Sequence, residues 1–205
     1  MKHTRGHIGK RGKETRKRNP ILLYAAEGDN MTETLYLNNF RGKGRPTIIP
    51  TDGNPTDPVK MMAQLKKQAK ELELSLKNRD RAFCIIDSDT DPAKQAQIDA
   101  ACARQTELIK VIISSPCFEE WFLCHYGYST RYLTSAQAVE ELKRKCKDYK
   151  KTMNIFPVIF DNTETAIKTA IRLKDYHNAQ GRRAHSIERN PSSDMYIVVE
   201  YLLNN

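Results

Sequence analysis

The sequence lacks several features that mark membrane-spanning, exported and zinc-stapled proteins. No apolar run approaches the roughly 20 residues needed to span a bilayer, and no apolar segment of the signal-peptide kind follows the basic N-terminus. The five cysteines have irregular spacings and form no C-x-x-C pair, which argues against a disulfide framework or a zinc knuckle. We therefore expect a soluble cytoplasmic protein with reduced thiols and no membrane partner.

Positive charge is concentrated at the N-terminus. The net charge is +9 over 205 residues, but residues 1–18 contribute +7 and the rest of the chain only +2. A basic segment with so little apolar content cannot pack a core, so we predict a flexible arm over residues 1–19. Arg16, Lys17 and Arg18 are its candidates for contacts with nucleic-acid phosphates, and a solubilising tail is the alternative.

Short apolar runs alternate with longer amphipathic segments from residue 20 onward. The runs at 21–26, 45–51, 82–86 and 108–114 are typical of buried strands, and the segments between them are typical of helices. This βαβαβαβ order predicts an α/β fold, with a mostly parallel sheet covered by helices on both faces. We place that core at 20–130. A helical extension without a clear strand, packed on the core, is expected over 131–205.

Carboxylates follow two of the predicted strands directly. Glu27 comes after the first strand, and the stretch FCIIDSDTD places Asp87 and Asp89 after the third. Because parallel strands bring their carboxyl ends to one edge of the sheet, these side chains should meet there. Clustered like charges need neutralisation, which a hard cation such as Mg²⁺ provides. Glu27 is then a ligand or a general base.

The D-x-D-x-D stretch has other interpretations, and the sequence matches the pattern of each to a different degree. An EF-hand loop needs Gly and Glu where this chain has Pro92 and Ile98. A phosphotransferase with a phosphorylated Asp87 stays open as an alternative. Asp91 is better explained as the cap of the helix that begins near Pro92, and Asp89 could instead initiate a turn.

The segment SSPCFEEWFLCHYG follows the fourth predicted strand. The start of its helix should face the same edge as Glu27 and Asp87, which makes Glu119 a candidate third carboxylate. His125 lies more than one turn further on and is a candidate acid, base or phosphate contact. A hydrogen-bonded core histidine is the alternative for His125.

Taken together, these motifs resemble those of the RloB-like proteins, a prokaryotic family within the wider Toprim-related group. The resemblance covers roughly residues 20 to 200, with Ala26 and Ser88 as departures from the family pattern. The matching residues are Glu27, Gly28, Thr32 and Glu33; Asp57 and Pro58; Asp87 and Asp89; Pro116, Phe118, Glu119, Trp121 and His125; and Asn190, Pro191 and Ser192.

The resemblance implies a Toprim-type fold in which Glu27, Asp87 and Asp89 bind Mg²⁺ or Mn²⁺ for phosphoryl transfer on RNA or DNA. It further implies a nuclease effector of phage defence or abortive infection, with an ABC-type ATPase as a partner. Lys150 resembles a basic family position and is a candidate nucleic-acid contact. The alternative is a non-catalytic nucleic-acid-binding or adaptor subunit of an ATPase-containing defence complex. Whether the chain forms a homodimer stays open.

Overall fold

The computed structural model describes residues 18–27, 31–53 and 55–205. Five strands and eight helices of the α type form in this part of the chain. The strands are β1 (Ile21–Ala26), β2 (Thr47–Pro50), β3 (Arg81–Asp87), β4 (Ile109–Ser115) and β5 (Ser192–Ser193). The helices are α1 (Met31–Asn38), α2 (Pro58–Glu71), α3 (Pro92–Cys102), α4 (Glu119–Cys124), α5 (Ser135–Lys145), α6 (Phe156–Ile159), α7 (Thr163–Ala179) and α8 (Met195–Leu203).

The strands form one sheet in the order β2-β1-β3-β4-β5. The first four strands are parallel, and β5 pairs antiparallel with β4. Each of the first three strands is followed by a helix before the next strand begins. The predicted α/β fold and its βαβαβαβ order are therefore confirmed.

Successive residues along the strands face opposite layers of helices, as the twofold repeat of a strand requires. In β1, Leu22 and Tyr24 pack with α1, α4, α7 and α8, whereas Leu23 and Ala25 pack with α2 and α3. Both faces of the sheet are thus buried. This explains why the strands appear in the sequence as continuous apolar runs rather than as alternating ones.

Local signals define several helix starts. Asp57 caps α2 by accepting a hydrogen bond from the backbone N–H of Lys60, and Asp91 caps α3 in the same way from Ala93. A proline occupies the first turn of both helices, where a missing N–H costs nothing. The capping role predicted for Asp91 is therefore confirmed.

The C-terminal part differs in one respect from the all-helical expectation for residues 131–205. Ser193 hydrogen-bonds through its hydroxyl to Ser114 of β4, and this short pairing makes β5 the edge of the sheet. Two residues are too few to show a strand pattern in a sequence. The proposed boundary near residue 130 stays a prediction, although residues of α7 and α8 share one apolar cluster with β1 and β3. In the described ranges, none of the helices is both long and apolar enough to cross a membrane.

Asp80 ties the start of β1 to the start of β3. Its fully buried carboxylate accepts hydrogen bonds from both terminal guanidinium nitrogens of Arg18, at 2.8 and 2.7 Å. It also accepts from the backbone N–H groups of Ile21 and Ser75. Burial alone would raise the pKa of Asp80, but these donors together hold it below its usual value.

We expect the substitution Asp80→Asn to lower the free energy of unfolding by at least about 2 kcal/mol at neutral pH, because the negative charge is lost and the two hydrogen bonds to one carboxylate oxygen lose their acceptor. The pKa of Asp80 is lowered by folding, so its contribution is present above the unfolded pKa and is lost as pH falls through the folded value. Urea unfolding measures both effects. Asp99→Asn is the control, since Asp99 pairs with Arg183 at the surface and such pairs contribute about 1 kcal/mol or less. Equal losses of unfolding free energy in Asp80→Asn and Asp99→Asn would contradict the stabilising role of Asp80.

Candidate acidic site at the carboxyl edge of the sheet

Adjacent strands place two carboxylates side by side. Strand β1 pairs with β3 so that Ala26 lies beside Ile85. Glu27 therefore leaves the sheet next to Asp87, the last residue of β3. On the other side of β3, Asp87 pairs with Ser114 of β4. The register thus brings Glu27 and Asp87 to one edge, as the sequence predicts for parallel strands.

A cavity of about 260 Å³ opens at this edge. Four carboxylates line it, from the end of β1, helix α1, the end of β3 and helix α4. One lysine is the basic residue among the lining side chains. The lining residues are Glu27, Met31, Thr32, Glu33, Asp87, Phe118, Glu119, Lys151 and Thr152.

Asp89 does not line this cavity and instead binds a lysine. After Ser88 the chain passes through Asp89 and Thr90 with φ of 49° and 55°, a left-handed backbone that is uncommon outside glycine. The Nζ of Lys94 lies 2.8 Å from Asp89 Oδ2 and 2.7 Å from Glu27 Oε2. Lys94 thus bridges two of the three predicted metal ligands, and its ammonium group is mostly buried between them.

Helix α4 delivers Glu119 to the cavity. Its side chain is buried, and its Oε1 accepts a hydrogen bond of 3.1 Å from the hydroxyl of Tyr149. Lys151 approaches the same oxygen at 3.7 Å. The backbone carbonyl of Lys151 also accepts from the Thr32 hydroxyl, which holds the 151 segment against α1.

Burial and nearby carboxylates raise the pKa of three acidic residues of the cavity. Burial raises the pKa of Glu33 to about 7, and the charges of Glu119 and Glu27 add to that rise against the opposing effect of Lys151. Burial also raises the pKa of Asp87 well above its usual value, and Glu33, Glu27 and Glu119 raise it further. For Glu27, burial again dominates and outweighs the lowering effect of Lys94. The site therefore holds protons that isolated carboxyl groups would release.

Asp87 also has an unmet hydrogen-bonding requirement. Its Oδ1 is buried, and no described residue donates a hydrogen bond to it. A buried acceptor without a donor costs free energy, so a ligand or ordered water is expected there. In the described part of the chain, no group of three or more His, Cys, Asp or Glu side chains is arranged to hold a metal ion.

Other predicted site residues lie elsewhere. His125 is buried at the end of α4, with Nδ1 2.9 Å from the carbonyl oxygen of Trp121, and it does not line the cavity. Burial lowers the pKa of His125 to about 4, so its ring is neutral at pH 7. Lys150 is exposed next to Lys151. Arg18 is engaged by Asp80. Arg16 and Lys17, together with Gly28, lie outside the described residues.

The sequence predictions did not assign site roles to three residues of this edge. Glu33 is among the residues that match the family, but a Glu in the first turn of a helix is equally well explained as a favourable charge there. Lys94 is 67 residues from Glu27 in sequence, and no local pattern links the two. Lys151 follows Lys150 directly in a run of basic residues. Alternation of acidic and basic residues in that run is also typical of a solvated surface.

The fold and the site together define a class of protein: an α/β domain with a parallel sheet whose carboxyl edge carries a buried carboxylate cluster. The model of the RloB-like protein family matches residues 22–202. The chain therefore belongs to the RloB-like family. The match covers nearly the whole described chain and includes every residue of the acidic cavity. No curated protein and no solved structure matches the sequence.

The raised pKa of Glu33 predicts how stability depends on pH. Its folded pKa of about 7 exceeds that of an unfolded Glu, about 4.3, so stability is full below the unfolded pKa and falls as pH rises toward 7. In EDTA, Glu33→Gln should reduce the loss of unfolding free energy between about pH 5 and pH 7.5 by about 1–3 kcal/mol. Urea unfolding at the two pH values measures this loss of unfolding free energy. The exposed Glu164→Gln is the control. If the free energy of unfolding of Glu33→Gln depended on pH as that of the wild type does, the buried Glu33 would not be the cause of the pH dependence.

Proposed function

We propose that this protein is a metal-dependent nuclease that hydrolyses phosphodiester bonds of RNA or DNA. The observation that carries the proposal is the cavity at the sheet edge, where Glu27, Glu33, Asp87 and Glu119 converge beside Lys151. Structural carboxylates normally have all their oxygens hydrogen-bonded, whereas here a buried oxygen of Asp87 has no described donor and burial raises the pKa of Glu33 and Asp87, which costs stability. Such a cost is typical of sites retained for chemistry.

The donor set fits Mg²⁺ or Mn²⁺, because it consists of carboxylate oxygens and includes the buried, unpartnered Oδ1 of Asp87. Asp87 and Glu27 are the proposed ligands, with Asp89 or a further cavity carboxylate completing the set. When bound, the metal ion would polarise the phosphodiester and stabilise charge on its oxygens. No group of three or more such ligands is arranged for a metal ion in the described residues, so water molecules or a carboxylate in another rotamer would complete the coordination.

The protein residues supply the proton transfer and the positioning. Glu33 lines the cavity beside the proposed ligands, and burial raises its pKa in the absence of an ion, so it is the proposed general base. In this role it takes the proton of the attacking water as the new phosphorus–oxygen bond forms. Lys151 is largely exposed at the cavity, where its ammonium group can contact a phosphate oxygen. The leaving oxygen takes its proton from solvent or from Lys151 as the old bond breaks.

The biological role that we propose is that of an effector in phage defence or abortive infection, as the family resemblance implies. An ABC-type ATPase is the proposed partner. The cytoplasm is the proposed compartment. The isolated chain is then expected to be weakly active if its partner has to release the activity.

A non-catalytic nucleic-acid-binding or adaptor subunit is the second candidate, and one observation favours it. Lys94 already neutralises Glu27 and Asp89, so the edge is partly balanced without a metal ion. In that case the carboxylates serve structure or metal binding alone. The basic N-terminal residues would then supply the affinity for nucleic acid.

Cleavage assays distinguish the two candidates. A panel of tRNA, single-stranded RNA, and single- and double-stranded DNA is incubated with Mg²⁺ or Mn²⁺. We expect Glu27→Gln and Asp87→Asn to lose about 100-fold or more of the cleavage rate. Glu164→Gln changes an exposed carboxylate that does not line the cavity and should keep the cleavage rate. Metal-dependent cleavage that survives in both site variants would reject the proposed site. Unchanged nucleic-acid affinity in Glu27→Gln, without cleavage by any form, would favour the adaptor.

Metal binding can be tested without activity. In EDTA, Asp87→Asn should raise the free energy of unfolding by about 1 kcal/mol or more, because it removes a buried carboxyl group whose ionisation is opposed by burial and by the neighbouring carboxylates. Mg²⁺ or Mn²⁺ should raise the melting temperature of the wild type, by an amount that grows with the logarithm of the ion concentration above Kd, and should leave that of Asp87→Asn unchanged. Differential scanning calorimetry gives both results. An equal response of the two proteins to the ion would remove Asp87 from the ligand set.

A further inference from the structure

A second cavity lies on a different side of helix α4. Its volume is about 280 Å³, near the lower end for small-molecule pockets and far larger than a single water requires. Its walls come from the end of α4 and the loop that follows, from α5 and from Pro191. The lining residues are Glu120, Leu123, Tyr126, Gly127, Tyr128, Ser129, Arg131, Leu133, Glu141, Lys145 and Pro191.

Glu120 is the unusual residue of this cavity. It is only 5 % exposed, and among the described residues nothing donates a hydrogen bond to its buried Oε2. Burial raises the pKa of Glu120 to about 8, with no contribution from a neighbouring charge. An unsatisfied buried carboxyl group is costly and rare. It therefore points to a ligand with hydrogen-bond donors.

Tyr126 adds a second unsatisfied group. Its hydroxyl oxygen is buried and has no partner among the described residues. In its ionised form, which N–H donors of a ligand would favour by lowering the raised pKa, Glu120 offers two acceptors, and the Tyr126 hydroxyl offers one donor. This set is complementary to the Watson–Crick edge of guanine, which has two adjacent N–H donors and one carbonyl acceptor. Adenine lacks this combination.

Cationic and aromatic groups complete the cavity. Arg131 is largely exposed, with its guanidinium 3.9 Å from Glu141, so it can swing toward a ligand. Lys145 lies in the last turn of α5 and is likewise exposed. The ring of Tyr128 is held by the guanidinium of Arg172, 3.8 Å above its centroid. An anionic group at the cavity mouth would meet Arg131 and Lys145, while the lining carboxylate Glu141 is already paired with Arg144 at 2.8 Å. A planar ring would meet the Tyr128 side chain.

We propose that this cavity binds a guanine nucleotide, with the base edge on Glu120 and Tyr126 and the phosphate toward Arg131 and Lys145. The nucleotide is either free or the terminal residue of a nucleic-acid strand, since both present the same groups. This inference does not rest on the nuclease proposal, because binding needs neither a metal ion nor cleavage.

Isothermal titration calorimetry of the full chain in EDTA tests the proposal. Guanosine monophosphate should bind the wild type about tenfold or more tightly than the adenosine, cytidine and uridine monophosphates. Glu120→Gln should weaken guanosine monophosphate binding about tenfold or more, because one acceptor becomes a donor. Arg131→Gln should weaken binding of the monophosphate but not of guanosine. Glu164→Gln is the matched control and should bind as the wild type does.

Competition then identifies the source of the nucleotide. A short oligonucleotide with a 5′-phosphorylated guanosine that displaces the mononucleotide, and needs Glu120 to do so, assigns the cavity to the end of a strand. Failure of that oligonucleotide to compete assigns it to a free nucleotide. The preference of the wild type for guanine requires no variant, so misfolding of Glu120→Gln would not obscure the result.

Several outcomes would overturn the inference. In one, the wild type fails to bind guanosine monophosphate, and in another it binds all four mononucleotides with equal affinity. A folded Glu120→Gln that binds guanosine monophosphate as tightly as the wild type is the third such outcome. Binding of agmatine in place of the nucleotide, with dependence on Glu120, would assign the cavity to a guanidinium group and would also reject it. None of these results depends on whether the acidic site at the sheet edge cleaves nucleic acid.

Discussion

The parallel pairing of β1 with β3 is the constraint on which the acidic site depends. Because the strands run in the same direction and in register, the residues that follow them leave the sheet at one edge. Glu27 and Asp87 therefore lie close together there. Like charges in a partly buried space raise each other's pKa and oppose folding. The nearby cations Lys94 and Lys151 offset this cost only in part, since the pKa of Glu27 stays raised.

Helix α4 supplies carboxyl groups to two separate cavities. Consecutive residues of a helix are about 100° apart around its axis, so Glu119 and Glu120 project in different directions. Glu119 enters the cavity at the sheet edge and is supported by Tyr149. Glu120 enters the second cavity without any described donor. The aromatic residues of the same helix, Trp121 and Phe122, fill the core between the sheet and the C-terminal helices, and this packing fixes both directions.

Asp80 has the properties of a buried carboxylate that contributes to stability alone. It is fully buried, it receives hydrogen bonds from two backbone N–H groups and one guanidinium, and its pKa is lowered. Asp87 and Glu120 have the opposite properties, with a buried oxygen lacking a donor and a raised pKa. Since a protein gains nothing in stability from such groups, ligand binding is the better physical reason for their presence. The contrast supports both proposed sites.

The sequence by itself determined the order of the first four strands and of the helices between them, the two-sided burial of the sheet, the cap at Asp91, and the family. These follow from local patterns, because apolar runs, proline positions and capping residues act within a few positions of the chain. It also determined that Glu27 and Asp87 share an edge, since parallel topology fixes that relation. Tertiary structure alone decided that Asp89 turns away to Lys94 and that Glu33 and Lys151 enter the cavity. It also decided that β5 joins the sheet. Those contacts join residues far apart in the chain, and their geometry depends on how whole elements pack.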